Sequence, residues 1–271
     1  MKLESQMPDM LEFASLSDIG QQRQRNEDAL LASPESGLAI VADGLGGGKA
    51  GEVASQAAVN ILAAALPPIA EQMKEVLAEM CGSDEQEGTK SLREALSAEI
   101  SKANAAIYNA AQSKSSLSGM ATTLVLAMFG DRRMISAHIG DSRLYRLRDN
   151  KLKLLTYDHT MHQAMVDVGL EQEFRQPRSL LLRALGSNIE VEAEINIHRL
   201  QRGDLYILCT DGLTDMVSED SILATLNNSA PSIATGRFNL GYIARNLVQL
   251  ANAAGGHDNI SLVLVSVLEA E

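Results

Sequence analysis

The chain has 271 residues, with 45% hydrophobic and 21% charged side chains, and Lys+Arg 23 against Asp+Glu 35 give a net charge of -12. This length and balance fit a globular protein with a sizeable core and exclude a disordered or fibrous chain. An acidic surface repels nucleic-acid backbones and anionic lipid but attracts cations, so neither nucleic acid nor a membrane is expected as a partner. The two cysteines, Cys81 and Cys209, lie too far apart for metal-ligand spacing, which excludes a structural zinc and a disulfide framework.

In chain order, residues 1–10 read as a polar tail without signal-peptide character. Strands are predicted at 11–16 and 38–42, then a helix over 51–66. Its alanine-rich part is broken by Ser55, Gln56 and Asn60 and stopped by Pro67 and Pro68, too short and polar to span a bilayer. An acidic, glycine-containing loop at 81–90 precedes a stronger helix at 91–111, with Leu92, Leu96, Ile100, Ala103 and Ile107 on one face. Strands follow at 122–129, 134–139 and 144–147, and a charged loop occupies 169–179. The segment 189–197 alternates apolar and acidic residues, as a strand with one wet face does. The strand at 205–209, with Cys209 as a small core residue, leads to a helix opened by Ser218, a helix at 240–254 and a last strand at 260–268. Helices fall between blocks of strands without strict alternation, which predicts one α+β domain of mostly antiparallel sheets flanked by helices. A soluble protein of a reducing compartment is expected, cytoplasmic in a bacterium.

The acids sit at strand ends. The run 38–42 ends in Asp43-Gly44, 134–139 in Gly140-Asp141, and 205–209 in Thr210-Asp211-Gly212 with Asp215 beyond; Asp258-Asn259 precedes the last strand. Each alone is an ordinary turn signal. Together they would bring carboxylates to one rim, where mutual repulsion calls for a divalent cation. Oxygen ligands without His or Cys select magnesium or manganese. A further cluster holds Asp18, Gly20, Arg23, Asn26, Glu27 and Asp28, in which Arg23 could clamp a phosphate through two parallel hydrogen bonds.

The strings Asp18-x-Gly20, Arg23-x-x-Asn26-Glu27-Asp28, Val41-Ala42-Asp43-Gly44, Thr122-Thr123, Gly140-Asp141-Ser142-Arg143, Asp211-Gly212-Leu213-x-Asp215 and Asp258-Asn259 occur in this order. Together they resemble the metal-dependent protein phosphatases of the PPM family (type 2C) in compact bacterial form, over nearly the whole chain. The resemblance implies two stacked, mostly antiparallel β-sheets flanked by helix pairs, an αββα sandwich, with a flap at 160–180. It implies two, or three, Mn2+ or Mg2+ ions. Asp43 would bridge two of them, with Glu27 and the Gly44 carbonyl serving one, and Asp211 and Asp258 the other. Asp141 with Asp211 matches a third position, Arg23 would bind and stabilise the substrate phosphate, and Asp28, Asp215 and Asn259 would support the ligands. Such an enzyme hydrolyses phosphoserine or phosphothreonine, because two ions about 3.5–4 Å apart can share a water and aim it in line at phosphorus. Its partners would be a phosphorylated protein, a Ser/Thr kinase or its targets, and the chain is expected to be a monomer.

Leu45 stands where many eukaryotic members carry a histidine, so no side chain is assigned as general acid; His159 and His162 are weak candidates, and His138 reads as structural. The run Gly44-Leu45-Gly46-Gly47-Gly48-Lys49 fails as a phosphate loop, since Asp43 and Ala50 occupy positions that need Gly and Ser or Thr. Its glycines read instead as letting the backbone approach a metal. Met161, Met165, Val166 and Val168 read as core or flap packing, and Arg175 and Arg178 as surface salt bridges or contacts to an acidic substrate. Two alternatives remain, a catalytically silent phosphatase-fold sensor and a small-molecule phosphoesterase.

Overall fold

The computed structural model describes residues 10–46, 49–79, 84–130, 132–173, 179–229 and 237–268. The strands are β1 (Leu11–Asp18), β2 (Asp28–Ser33), β3 (Leu38–Leu45), β4 (Ala121–Thr122), β5 (Leu124–Phe129), β6 (Arg133–Ile139), β7 (Arg143–Arg148), β8 (Lys151–Leu154), β9 (Glu194–Arg199), β10 (Leu205–Cys209) and β11 (Ile260–Val267). The helices are α1 (Ala50–Ala65), α2 (Pro67–Glu79), α3 (Asp84–Ser113), α4 (Met161–Asp167), the single turn α5 (Asp211–Thr214), α6 (Glu219–Asn228) and α7 (Leu240–Ala253). One sheet runs β1-β11-β10-β7-β8 and the other β2-β3-β5-β6-β9, with β4 paired to the end of β3. Every pairing is antiparallel.

The sheets stack face to face. Val41, Val125, Leu144, Tyr206, Leu208, Val263 and Val265 fill the space between them, and Phe129 meets Phe13 and Tyr206 edge-on at 6.0 and 5.4 Å. The alternate residues of the same strands face helices. Leu38, Ile40 and Ala42 of β3 pack under α1 and α3, and Ile260, Leu262 and Leu264 of β11 pack under α6 and α7. With both faces covered, the central strands read as unbroken apolar runs, which is how they stand out in the sequence. This is the expected αββα sandwich.

Several local expectations are corrected. Pro67 and Pro68 do not merely stop α1; they open α2, since proline fits the first helical turn, and Ile69, Ala70 and Met73 of that helix are buried. The segment 81–90 is not a loop from Asp84 onward, because α3 begins there; extending a helix already anchored by the Leu92–Ile107 stripe costs little. The alternation at 189–197 yields a strand only from Glu194 to Arg199, where β6 offers a partner; that ladder runs from Arg133↔Arg199 to His138↔Glu194. The run 122–129 is interrupted at Thr123, between β4 and β5. The edge strand β8, four residues of alternating lysine and leucine, and the edge strand β2, apolar from Ala29 to Ala32 but without a β-branched residue, are not anticipated by the sequence reading. Ser218 does cap α6, accepting the Ser221 N–H. In α4 no side chain is fully buried, and Val166 and Val168 are exposed, against the reading of that stripe as core. Cys81, Gly47, Gly48, Arg175 and Arg178 lie outside the described residues, as do 1–9 of the expected tail and 174–178 of the expected flap. No single helix among the described residues is long and apolar enough to cross a membrane.

Leu208 is fully buried between the sheets. Leu208→Ala is expected to lower unfolding free energy by about 2–5 kcal/mol in urea melts, with far-UV circular dichroism unchanged. A loss well under 1 kcal/mol would show that the inter-sheet layer does not hold the sandwich together.

Candidate metal-binding active site

Antiparallel pairing gathers the acids. β2 lies beside β3 so that Asp28 stands directly opposite Asp43. On the other sheet β10 pairs with β11 from Leu205↔Ser266 to Cys209↔Leu262, which sets Asp211, just past the end of β10, near Asp258, just before β11. The tight turn from β6 to β7 adds Asp141, and β1 ends against Ile260, so the Asp18–Glu27 segment crosses the same rim.

Asn259 ties this rim together. Its side chain accepts the Glu27 N–H at 2.8 Å and donates to the carbonyls of Ile19 at 3.0 Å and Arg25 at 2.8 Å. Its own N–H donates to Asp258 Oδ1 at 2.8 Å. Arg23 Nη2 meets Asp258 Oδ2 at 2.6 Å, with side-chain exposures of 52% and 33%. A pair this open is weakly held, so Arg23 can exchange partners. Thr210 Oγ1 donates to Asp28 Oδ2 at 3.0 Å, and accepts the Ser261 N–H at 3.0 Å.

Close packing at the start of α1 explains two glycines. A side chain on Gly44 would fall 2.2 Å from the Gly51 carbonyl oxygen, and one on Gly51 would fall 2.4 Å from Glu27 Oε2. Gly44 thus has a steric reason to lack a Cβ, separate from the expected approach of the backbone to a metal. Helix α1 sits directly on the end of β3, leaving room for the Glu27 carboxylate only because neither residue has a Cβ.

The carboxylates crowd one another. Burial, reinforced by Asp28 and Asp211, holds the Asp43 carboxyl well above the usual range, and Asp43 shares a hydrogen bond with Asp211. Burial also pushes Asp28 up to about 7, Asp211 to about 6 and Asp141 to about 8, and neighbouring carboxylates add to each. Glu27 is raised by burial and by Asp258, against the pull of Arg23. Asp28 Oδ1 and Asp211 Oδ1 are buried with no hydrogen-bond partner. Buried polar atoms without partners are rare in proteins, and carboxylate oxygens left over inside an acidic cluster fit a hard divalent cation such as magnesium or manganese. All the residues singled out in the sequence, Arg23, Glu27, Asp28, Asp43, Gly44, Asp141, Asp211, Asp215, Asp258 and Asn259, reach this rim or its immediate support. The hydroxyls of Thr123, Ser142, Thr210 and Ser261 were not assigned roles; the adjacency Thr210-Asp211 and the Thr122-Thr123 pair were the available signals.

His138 and His159 form a stacked pair beside the rim, and His257 directly precedes Asp258. His138 and His159 stack at 4.7 Å and 16°, and each Nε2 lies 3.9 Å from Glu194 Oε2. Their near-parallel rings cannot both aim in-plane lone pairs at one ion, so this group is a poor metal centre despite its composition. His159 Nδ1 accepts the Gly140 N–H at 3.2 Å, and burial lowers the ring's pKa to about 4. That makes it a backbone anchor rather than a proton donor. His138 Nε2 lies 2.8 Å from the Tyr157 carbonyl oxygen, in keeping with a structural role.

A buried acidic rim at the edge of two stacked sheets defines an αββα protein whose oxygen donors suit a hard divalent cation. Residues 20–240 match the family model described as Protein phosphatase 2C. The chain is 36% identical over 264 residues to the serine/threonine protein phosphatase PstP of Mycobacterium tuberculosis, covering 96% of this chain and 46% of that protein. It is 34% identical over 256 residues to the serine/threonine phosphatase stp of Listeria welshimeri, covering 92% of this chain and 93% of that one. The chain thus spans about half the length of the PstP relatives and nearly all of the Listeria ones. A crystal structure of the Mycobacterium tuberculosis PstP superposes with a TM-score of 0.78 at 34% identity, over 96% of this chain and 100% of that one. The catalytic domain of PstP in complex with two manganese ions superposes at 0.75 and 35%, over 96% and 99%. The chain belongs to the protein phosphatase 2C family, and these curated relatives are serine/threonine phosphatases.

The raised carboxyls set a pH dependence for the metal-free protein. Between the ordinary carboxylate range and about 8 the folded state holds protons that the unfolded chain has released, so stability falls as pH rises through this window. Thermal melts in EDTA should show Tm falling from pH 5 to pH 8, and Asp43→Asn should raise Tm at pH 8. A flat profile in EDTA, with Asp43→Asn no more stable than wild type, would contradict the crowding.

Proposed function

We propose that this chain is a single catalytic domain that hydrolyses phosphoserine and phosphothreonine in proteins with manganese or magnesium. The observation that carries the reading is the rim of buried, mutually repelling carboxylates with orphaned oxygens, in a chain of the 2C family. Glu27, Asp43, the Gly44 carbonyl, Asp211 and Asp258 would hold two ions, and Asp141 with Asp211 a third. Bound there, the ions supply Lewis acidity, lowering the pKa of a water and neutralising charge on the phosphoryl oxygens.

The chain's own residues do the rest. Asp43 and Asp211 would hold the ions at fixed positions, so little reorganisation is needed when the phosphate arrives. Arg23, exposed and paired among the described residues with the partly exposed Asp258, turns its guanidinium to the phosphate and orients the ester for in-line attack. Asn259, Asp28 and Asp215 hold the ligands in place. With Leu45 in β3 and His159 tied to Gly140, no side chain is assigned to protonate the leaving group, and a water held by the metal site would take that role. The segment 160–180 would act as the flap that meets the rest of the substrate. A silent sensor would be expected to have lost one of these acids, and every position holds one. The partner would be a Ser/Thr kinase or its targets, and the protein a cytoplasmic monomer.

The test is release of phosphate from phosphothreonine and phosphotyrosine peptides with manganese, magnesium or EDTA. Manganese-dependent release favouring phosphothreonine is expected, lost by at least about 100-fold in Asp43→Asn and Asp211→Asn. Arg23→Ala should chiefly raise KM. No release from either peptide, alongside turnover of a small phosphate ester, would move the assignment to a small-molecule phosphoesterase. Unchanged KM and kcat in Arg23→Ala would leave Arg23 a surface residue.

A further inference from the structure

Thr123 interrupts the strand between β4 and β5, and it is 1% exposed. Its main chain and side chain both grip Asp43. The Thr123 N–H donates to the Asp43 carbonyl at 2.9 Å, and the Asp43 N–H donates to Thr123 Oγ1 at 2.9 Å. The neighbouring Thr122 hydroxyl also donates to the Asp43 carbonyl, at 2.8 Å. The same Thr123 oxygen pairs with Ser142 Oγ at 2.7 Å, and Ser142 is likewise 1% exposed. Beneath the turn, a side chain on Gly140 would fall 2.7 Å from Thr123 Cγ2, and Gly140 has φ +100. The turn can therefore close over Thr123 only with glycine at that position. Asp141 lies between the two residues that touch Thr123.

One buried side chain thus joins two parts of the rim that come from different strands. Its hydroxyl fixes the backbone of Asp43, and the hydroxyl and methyl together fix the residues on either side of Asp141. We propose that Thr123, acting through Ser142, is the positioning residue that sets the Asp141 turn relative to Asp43, so that affinity at the third cation position depends on the geometry of the other two. A hydroxyl can accept and donate at once, which suits it to this place. Valine would keep the shape while leaving the Asp43 N–H and the Ser142 hydroxyl without this partner. The inference rests on the metal site proposed above, and wild-type protein that bound no manganese would remove that reading itself.

The experiment is calorimetric titration of manganese into metal-free wild type, Thr123→Val, Thr123→Ser and Ser142→Ala, with a thermal melt of each. In Thr123→Val the manganese dissociation constants should rise about 10–100-fold, the range for loss of a hydrogen bond supporting a metal ligand. Thr123→Ser, which restores the hydroxyl, should bind close to wild type. In Ser142→Ala the loss should be confined to the weakest site. With phosphothreonine peptide, Thr123→Val should need more manganese for half-maximal rate while KM for peptide at saturating manganese stays unchanged. A purely structural role would lower Tm and leave these affinities as they are. Wild-type affinities in a folded Thr123→Val would overturn the proposal; if that variant does not fold, Ser142→Ala decides, and wild-type binding at every site there would overturn it equally.

Discussion

Repulsion among carboxylates at one rim is the constraint around which this molecule is arranged. Asp28, Asp43, Asp141 and Asp211 are held where burial and neighbouring carboxylates push all of them toward the neutral form. No chain gathers acids this way for stability, because each would be more comfortable in water. The fold tolerates the arrangement because three apolar layers lie behind it, one between the sheets and one under each helical face. A cation that relieves the repulsion is then bound by the same energy that the crowding costs.

The sandwich supplies the geometry. Strands buried on both faces are stiff and closely registered, so their ends make good fixed points. Asp43 leaves β3 opposite Asp28, while Asp211 and Asp258 flank the adjoining ends of β10 and β11. Around these points lies a frame of short, uncharged polar side chains. Asn259 holds three stretches of backbone from the N-terminal loop. Thr210 supports Asp28, and the Thr122-Thr123 pair supports Asp43. Thr210 takes one oxygen of Asp28, but Asn259 and the threonine pair fix main chain rather than carboxylate, which leaves the oxygens of Glu27 and Asp43 available, as a metal site needs.

The elements that were hard to read share a cause. At 189–197 the alternation was genuine, yet a strand exists only where β6 provides a partner, and β6 stops at Ile139. Pro67 looks like an end in the sequence because proline ends helices far more visibly than it begins them, although Ile69 and Met73 behind it are core residues. The strands β2 and β8 lack β-branched residues and are held in place by their neighbours, so propensity does not mark them. In the site the charged residues were legible and the hydroxyls were not. An Asp-Gly at the end of an apolar run is a local signal, whereas Thr123 Oγ1 matters only through Asp43, 80 positions away, and Ser142, 19 positions away.

What the sequence determined by itself was the inventory: apolar runs long enough for two buried sheets, acids placed at their ends, and the ordered strings that mark the 2C family. These are properties of residue type and spacing along the chain, and periodicity exposes them. The tertiary structure alone decided which ends meet. It put Arg23 beside Asp258, left one oxygen each of Asp28 and Asp211 without a partner, and made the His138–His159 stack an anchor rather than a metal centre. Hydrogen bonding and charge coupling act over a few ångströms between residues distant in sequence. Their outcome is set by packing and register, which no local pattern of residues encodes.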